Sequence, residues 1–137
     1  RGGRVLRLPI SVQGHTPLMR EVANEMSRML DSLPVRDPDP PIVSNISARL
    51  LTTAEEVREE LSNHIYAAVQ WARCVGAMLN QGASPFVEVG PGLALSKLVR
   101  RIKGDAAVFG TDDPSSEDLS KLAAAVPELE PSGVDGR

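Results

Sequence analysis

Pro85-Phe86-Val87-Glu88-Val89-Gly90-Pro91-Gly92 is a short β-branched and aromatic run that ends in a turn bracketed by glycines. Such a run reads as a strand, and Gly-Pro-Gly bends the chain tightly into the next element. Leu95, Leu98, Val99 and Ile102 then recur at three- and four-residue spacings. They predict a helix that turns these four side chains inward, closed by Gly104. Ala106-Ala107-Val108-Phe109 is a further strand-like run. A strand, a helix and a strand in this order make the repeating unit of a parallel, helix-covered α/β sheet.

Working back towards the N-terminus, the same alternation continues. A helix from about 66 to 81 is expected, with Val69, Ala72, Val75, Met78 and Leu79 inward and Gly82 as its left-handed cap. Thr53-Ala54-Glu55-Glu56 has the spacing of a capping box, in which the Thr hydroxyl and Glu carboxylate each satisfy an orphaned backbone donor. It should open a helix over about 54 to 63. Ile42-Val43-Ser44-Asn45-Ile46 predicts a buried parallel strand at about 41 to 44, after the stiff Asp37-Pro38-Asp39-Pro40-Pro41 connection. Before that, Thr16 stands as N-cap and Pro17 as first helical residue. Leu18, Met19, Val22, Met26, Met29, Leu30 and Leu33 form one apolar stripe from there to about Leu33. His15 falls just ahead of that helix. Leu6, Leu8 and Ile10 alternate as in a half-buried strand over 4 to 10. At the other end, Asp113-Pro114 opens a last helix to about Val126, and residues 127–137 read as a frayed tail.

Composition narrows the function classes. The 137 residues are 42% apolar and 24% charged, ordinary for a soluble chain with one modest core. A net charge of −3 supplies no positive field for nucleic acid or an anionic membrane. Apolar runs fall far short of the roughly 20 residues that span a bilayer, and Arg7 interrupts what would have to be a signal-peptide core. These features predict a cytoplasmic chain. One cysteine and two histidines exclude an internal disulfide and a four-ligand Cys/His zinc site by counting. The sequence does not begin with Met and enters strand-like residues almost at once, which predicts a segment of a longer polypeptide.

Four blocks carry a resemblance: Gly14-His15-Thr16-Pro17-Leu18-Met19, Val43-Ser44-Asn45, Val69-Gln70-Trp71 and Phe86-Val87-Glu88-Val89-Gly90-Pro91-Gly92. Their order and spacing over about residues 5 to 125 are far more specific than any one block. They resemble the C-terminal portion of the malonyl-CoA:acyl-carrier-protein transacylase family, which includes the malonyltransferases of fatty acid synthesis and the acyltransferase domains of polyketide synthases. The resemblance implies ping-pong acyl transfer in the cytoplasm. A serine takes the acyl group, most often malonyl, from a coenzyme A thioester and passes it to the pantetheine thiol of an acyl carrier protein. Coenzyme A is then a substrate, and no bound cofactor is implied.

The resemblance also places residues. His15 matches the family's general base, a role suited to an imidazole near neutral pH. The backbone carbonyl that steadies such a base falls on His64, where relatives generally carry glutamine. Asn45 matches a recurrent asparagine that could support the histidine through hydrogen bonds, although asparagine also closes strand ends by bonding its own backbone. Ala68 stands where relatives favour proline. The Gly-x-Ser-x-Gly elbow that holds the nucleophile in this family is absent from these residues, so the chain corresponds to the general-base half of an enzyme and needs the N-terminal half to complete it. The expected architecture is the closing strand of a ferredoxin-like small subdomain over 1–10, the C-terminal part of a hydrolase-like large subdomain over 11–126, and a flexible tail over 127–137.

Gly90-Pro91-Gly92 lacks the third glycine of a dinucleotide fingerprint, which would fall on Leu95, so it reads as a packing turn. Glu88 reads as a capped or paired carboxylate at a strand end and not as a triad acid. Lys97, Arg100, Arg101 and Lys103 give one helix a basic face, either simply solvated or positioned to steer an acidic carrier protein. Gly14 stands where malonyl-selective relatives often carry Phe and methylmalonyl-selective ones Ser, which leaves room for a branched extender. A non-catalytic α/β module that binds a carrier protein is the alternative from another class.

Overall fold

The computed structural model describes Val5, residues 11–112, Ser120, Lys121 and Ala124. In order the elements are α1 (Arg20–Asp31), β1 (Ile42–Val43), β2 (Leu50–Leu51), α2 (Ala54–His64), α3 (Trp71–Asn80), β3 (Phe86–Glu88), α4 (Ala94–Ile102) and β4 (Val108–Gly110). They form two compact units, one up to Ala77 and one from Met78. The strand expected over 4–10, with the ferredoxin-like subdomain it would close, lies outside the described residues apart from Val5. The last helix over 113–126 and the tail over 127–137 lie outside them apart from Ser120, Lys121 and Ala124. No helix among the described residues is long and apolar enough to cross a membrane.

In the first unit α1 and α2 pack against each other. The capping box opens α2 as its spacing predicts: the Thr53 hydroxyl accepts from the Glu56 amide and the Glu56 carboxylate accepts from the Thr53 amide. Such a cap contributes about 1 kcal/mol. Asp37 adds a second, its Oδ1 accepting from the Ala54 amide at 2.7 Å. At the far end of α1 the Arg58 guanidinium donates to the carbonyls of Leu30 and Leu33, tying α2 to the end of α1 and the residues just beyond it. α1 is preceded by one 3-10 turn, Pro17–Met19. Thr16 does not cap it by its side chain; its hydroxyl donates back to the Gln13 carbonyl.

Only part of the apolar stripe expected along α1 is buried. Ala23 and Leu30 are buried, whereas Leu18, Val22, Met26, Met29 and Leu33 are exposed, Met29 at 65%. At about 100° per residue, the five exposed residues share one arc and Ala23 and Leu30 lie beside it. The helix therefore meets α2 along the edge of its stripe, where the small Ala23 permits close approach.

The strand expected at 41 to 44 exists as β1, but it is antiparallel and not parallel. It pairs with β2 through Ile42 opposite Leu51 and Val43 opposite Leu50. The connection is closed by Ser44 and Arg49 (N to O, 2.8 Å) and by Ala48, whose amide reaches the Ser44 carbonyl from a left-handed φ of 59°. A short hairpin thus replaces the crossover that a parallel strand requires. α3 begins at Trp71 and not near 66. The Tyr66 and Ala67 amides both turn back to the Asn63 carbonyl, and the Gln70 amide is taken by Asn45. Cys74 and Val75 are its buried residues, and Gly82 ends it at φ 78° as expected.

The second unit is the strand–helix–strand motif. β3 and β4 are parallel, with Phe86, Val87 and Glu88 opposite Val108, Phe109 and Gly110, and α4 crosses between them. Gly90 and Gly92 adopt φ values of 129° and 84°, dihedrals that make the Gly-Pro-Gly turn available to glycine. The inward face of α4 differs from expectation. Ser96 and Val99 are buried, whereas Leu95, Leu98 and Ile102 are 44%, 38% and 41% exposed. The described sheets have two strands each, so one narrow sheet covers only one edge of the helix.

Candidate active site

His15 is held in an uncommon backbone conformation, φ 61°, by two bonds from one short segment. Its amide donates to the Ile65 carbonyl at 2.7 Å, and its ring Nδ1 lies 3.0 Å from the His64 carbonyl. A carbonyl only accepts, so in the neutral ring Nδ1 carries the proton and Nε2 the lone pair. His15 is exposed. The left-handed backbone is costly for a residue with a Cβ, and successive carbonyls hold it from both its main chain and its side chain. The His64 ring meets the His15 ring edge-on, with centroids 4.8 Å apart.

The segment that grips His15 is itself tied down. Asn63 accepts from the Tyr66 and Ala67 amides through its main chain and from the Tyr66 hydroxyl, at 3.0 Å, through its side chain. The Tyr66 ring in turn carries the Arg20 guanidinium 4.8 Å from its centroid. A cavity of about 360 Å³, lined by Ser44, Ile46, Arg49 and Glu59 among others, shares Asn63 and Tyr66 with this turn.

Asn45 enters through its main chain. Its carbonyl accepts from the Gln70 amide at 2.7 Å, and its own amide donates to Glu60 Oε1 at 2.7 Å. Glu60 is the residue that sequence reasoning missed here. Its other oxygen takes the Ser44 hydroxyl at 2.6 Å, and Oε1 also receives the Ile46 amide. One carboxylate thus organises the whole 44–47 turn. Cys74, buried on α3, donates its thiol to the Ser44 carbonyl, and burial and then the Glu60 charge push the thiol up from its ordinary value. It is a poor nucleophile in that state.

In the second unit Glu88 is a cap, as its place at a strand end suggests. Its two oxygens accept from the Leu95 and Ser96 amides at 3.0 and 2.8 Å. Bonds from Ser96, then from Leu95, hold its carboxyl below the usual carboxylate range. The basic face of α4 is partly engaged in structure and is not simply solvated. Arg100 donates to the Val108 carbonyl at 2.7 Å and Lys103 pairs with Asp105 at 2.9 Å. Among the described residues no three His, Cys, Asp or Glu side chains are grouped to hold a metal ion.

The α/β arrangement places the chain with known acyl-transfer proteins. A crystal structure of malonyl-CoA:acyl carrier protein transacylase from Xanthomonas oryzae pv. oryzae is similar at TM-score 0.79 and 35% identity, over 86% of this chain and 37% of that one. A structure of a type II polyketide synthase acyl-carrier protein in complex with its malonyl-transacylase is similar at TM-score 0.79 and 27% identity, over 87% and 38%. By sequence, the malonyl CoA-acyl carrier protein transacylase of Bacillus subtilis is 30% identical over 115 residues, and that of Escherichia coli K12 is 33% identical over 113. Each covers 82% of this chain, which spans only 36% and 37% of their lengths. The sequence matches no protein-family model.

Over 82% of its length the chain is similar to malonyl-CoA:acyl-carrier-protein transacylases, and the similarity is to their C-terminal portion.

Proposed function

We propose that this chain supplies the general-base part of an acyltransferase that moves malonyl from coenzyme A to the pantetheine thiol of an acyl carrier protein, in the cytoplasm. The observation that carries the reading is the His15 ring, with Nδ1 bonded to a main-chain carbonyl and Nε2 left as an exposed base. The names of the similar proteins support the same acyl group and the same protein partner.

The steps follow from that geometry. A serine hydroxyl from another part of the protein gives its proton to Nε2 of His15 as its oxygen attacks the malonyl thioester carbonyl. The carbon–sulfur bond breaks, and coenzyme A leaves as a thiol with the proton returned by Nε2. In the second half the pantetheine thiol gives its proton to Nε2, its sulfur attacks the acyl-serine, and the proton returns to the serine oxygen. Twice per cycle the ring becomes an imidazolium, with the Nδ1 proton directed at the His64 oxygen. A fixed acceptor there does what the aspartate of a serine-protease triad does: it sets the tautomer and stabilises the charged ring. Asn45 contributes at a distance, by tying the 44–47 turn to Gln70.

The test is serine acylation by malonyl-CoA in the full-length protein. His15→Ala should lower its rate by roughly 10² to 10⁴, the worth of a positioned general base; near-normal acylation removes His15 from that role. The acyl group is tested with malonyl and methylmalonyl thioesters in parallel. Among the described residues, leaving out its chain neighbours, nothing lies within 4 Å of the position a Gly14 Cβ would take.

A further inference from the structure

His15 is strained in φ and held by two carbonyls, so its geometry is only as firm as the 63–67 segment that offers them. That segment is fixed to the rest of the unit from the side of α1. Arg20 is the first residue of α1, five residues beyond His15, and its guanidinium lies over the Tyr66 ring. Tyr66 is two residues beyond His64, the first to offer its carbonyl, and its hydroxyl ends on the Asn63 side chain. The contacts therefore close a loop: His15 to His64 and Ile65 by hydrogen bonds, and Arg20 to Tyr66 by cation–π attraction, with Asn63 bracing the turn between them.

We propose that Arg20, Tyr66 and Asn63 are positioning residues that hold the His64 and Ile65 carbonyls against His15, and thereby keep its proton on Nδ1 and its lone pair on Nε2. The proposal rests on the reading of His15 as the base. Arg20 is exposed, so its charge can be removed without emptying a core. A cation–π contact at an exposed site corresponds to about a two- to fivefold shift in an equilibrium. Without it, the two segments part that much more often, and a His15 released from both carbonyls relaxes from the left-handed region and samples either tautomer.

The experiment compares Arg20→Met, which keeps length and loses charge, with Arg20→Lys, which keeps a cation. Tyr66→Phe, which keeps the ring and loses the bond to Asn63, is the third arm. All are made in the full-length protein. The first readout needs no turnover: the ratio of Nδ1–H to Nε2–H tautomer of His15, read from its imidazole ¹⁵N shifts. The second is kcat and KM for serine acylation by malonyl-CoA. Arg20→Met should lower the tautomer ratio about two- to fivefold and kcat in step with the remaining Nδ1–H fraction, by at most the same factor, with KM unchanged and Arg20→Lys restoring most of both. Tyr66→Phe should lower both measures while leaving the Arg20 contact in place. An unchanged ratio and kcat in Arg20→Met, or equal losses in the Met and Lys variants, overturns the proposal. A shifted tautomer ratio together with undiminished acylation in His15→Ala would uphold the positioning and remove the catalytic reading, so the two failures are distinct.

Discussion

Replacing Glu60 by Gln changes one oxygen to an amide and removes a charge at the residue on which the 44–47 turn depends. In the native chain Oε2 takes the Ser44 hydroxyl, while Oε1 takes the amides of Asn45 and Ile46. The Ser44 oxygen is already an acceptor for the Ile46 and Ser47 amides and the Ser47 hydroxyl. A glutamine NH₂ therefore has no good orientation. Turned towards Ser44 it meets an oxygen whose acceptor capacity is used, and turned towards Asn45 it meets N–H groups. Ser44 is 1% exposed, so its hydroxyl gains no water in place of the lost carboxylate oxygen. Losing one charge-assisted bond and leaving one donor unpaired should cost about 2–3 kcal/mol. The assay is urea unfolding at neutral pH, comparing midpoints at an unchanged m-value. Ser44→Ala removes the hydroxyl that clashes, so Glu60→Gln should cost markedly less in that background, a coupling a double-mutant cycle reads directly. A loss below about 0.5 kcal/mol, ordinary for a surface change, would refute the account of the turn.

Two further outcomes concern the backbone and the caps. Ala48 sits at φ 59°, where a Cβ is unfavourable, so Ala48→Gly should raise stability by about 0.5–1 kcal/mol in the same urea assay. Glu88 and Glu56 both have carboxyls held below their ordinary value of 4.5, Glu88 by Ser96 and Glu56 by the Thr52 and Thr53 amides. Their contribution to stability is thus full above 4.5 and is lost as pH falls through the lower folded values. Unfolding midpoints measured from pH 6 downward should fall on the acid side, and Glu88→Gln should flatten that fall.

What the sequence disclosed was whatever is decided locally. The capping box at Thr53 and Glu56, Gly82 at a helix end, the Gly90-Pro91-Gly92 turn and the strand–helix–strand order after Pro85 all depend on residues within a few positions of one another. What it concealed depends on partners far along the chain. The parallel reading of Ile42-Val43 failed because Leu50-Leu51 pairs with it; the signal was there, two apolar pairs flanking Ser44-Asn45-Ile46-Ser47-Ala48-Arg49, but a two-residue strand has too short a pattern to register. The stripes on α1 and α4 were correctly periodic, yet periodicity does not say how far round the helix the neighbour sits. At the site, the block match brought His15 and His64 together across 49 positions. Glu60, Arg20 and Tyr66 went unnoticed because nothing in their own neighbourhoods sets them apart from other residues of a solvated helix or turn.

The acceptor on His15 is a main-chain oxygen, and a main-chain oxygen has no codon of its own. Nearly any residue at position 64 presents it equally well, so the ring's partner survives amino-acid exchange there. Mutation can reach that partner only by bending the backbone, which moves its vulnerability from the position that supplies the oxygen to the neighbours that shape the turn.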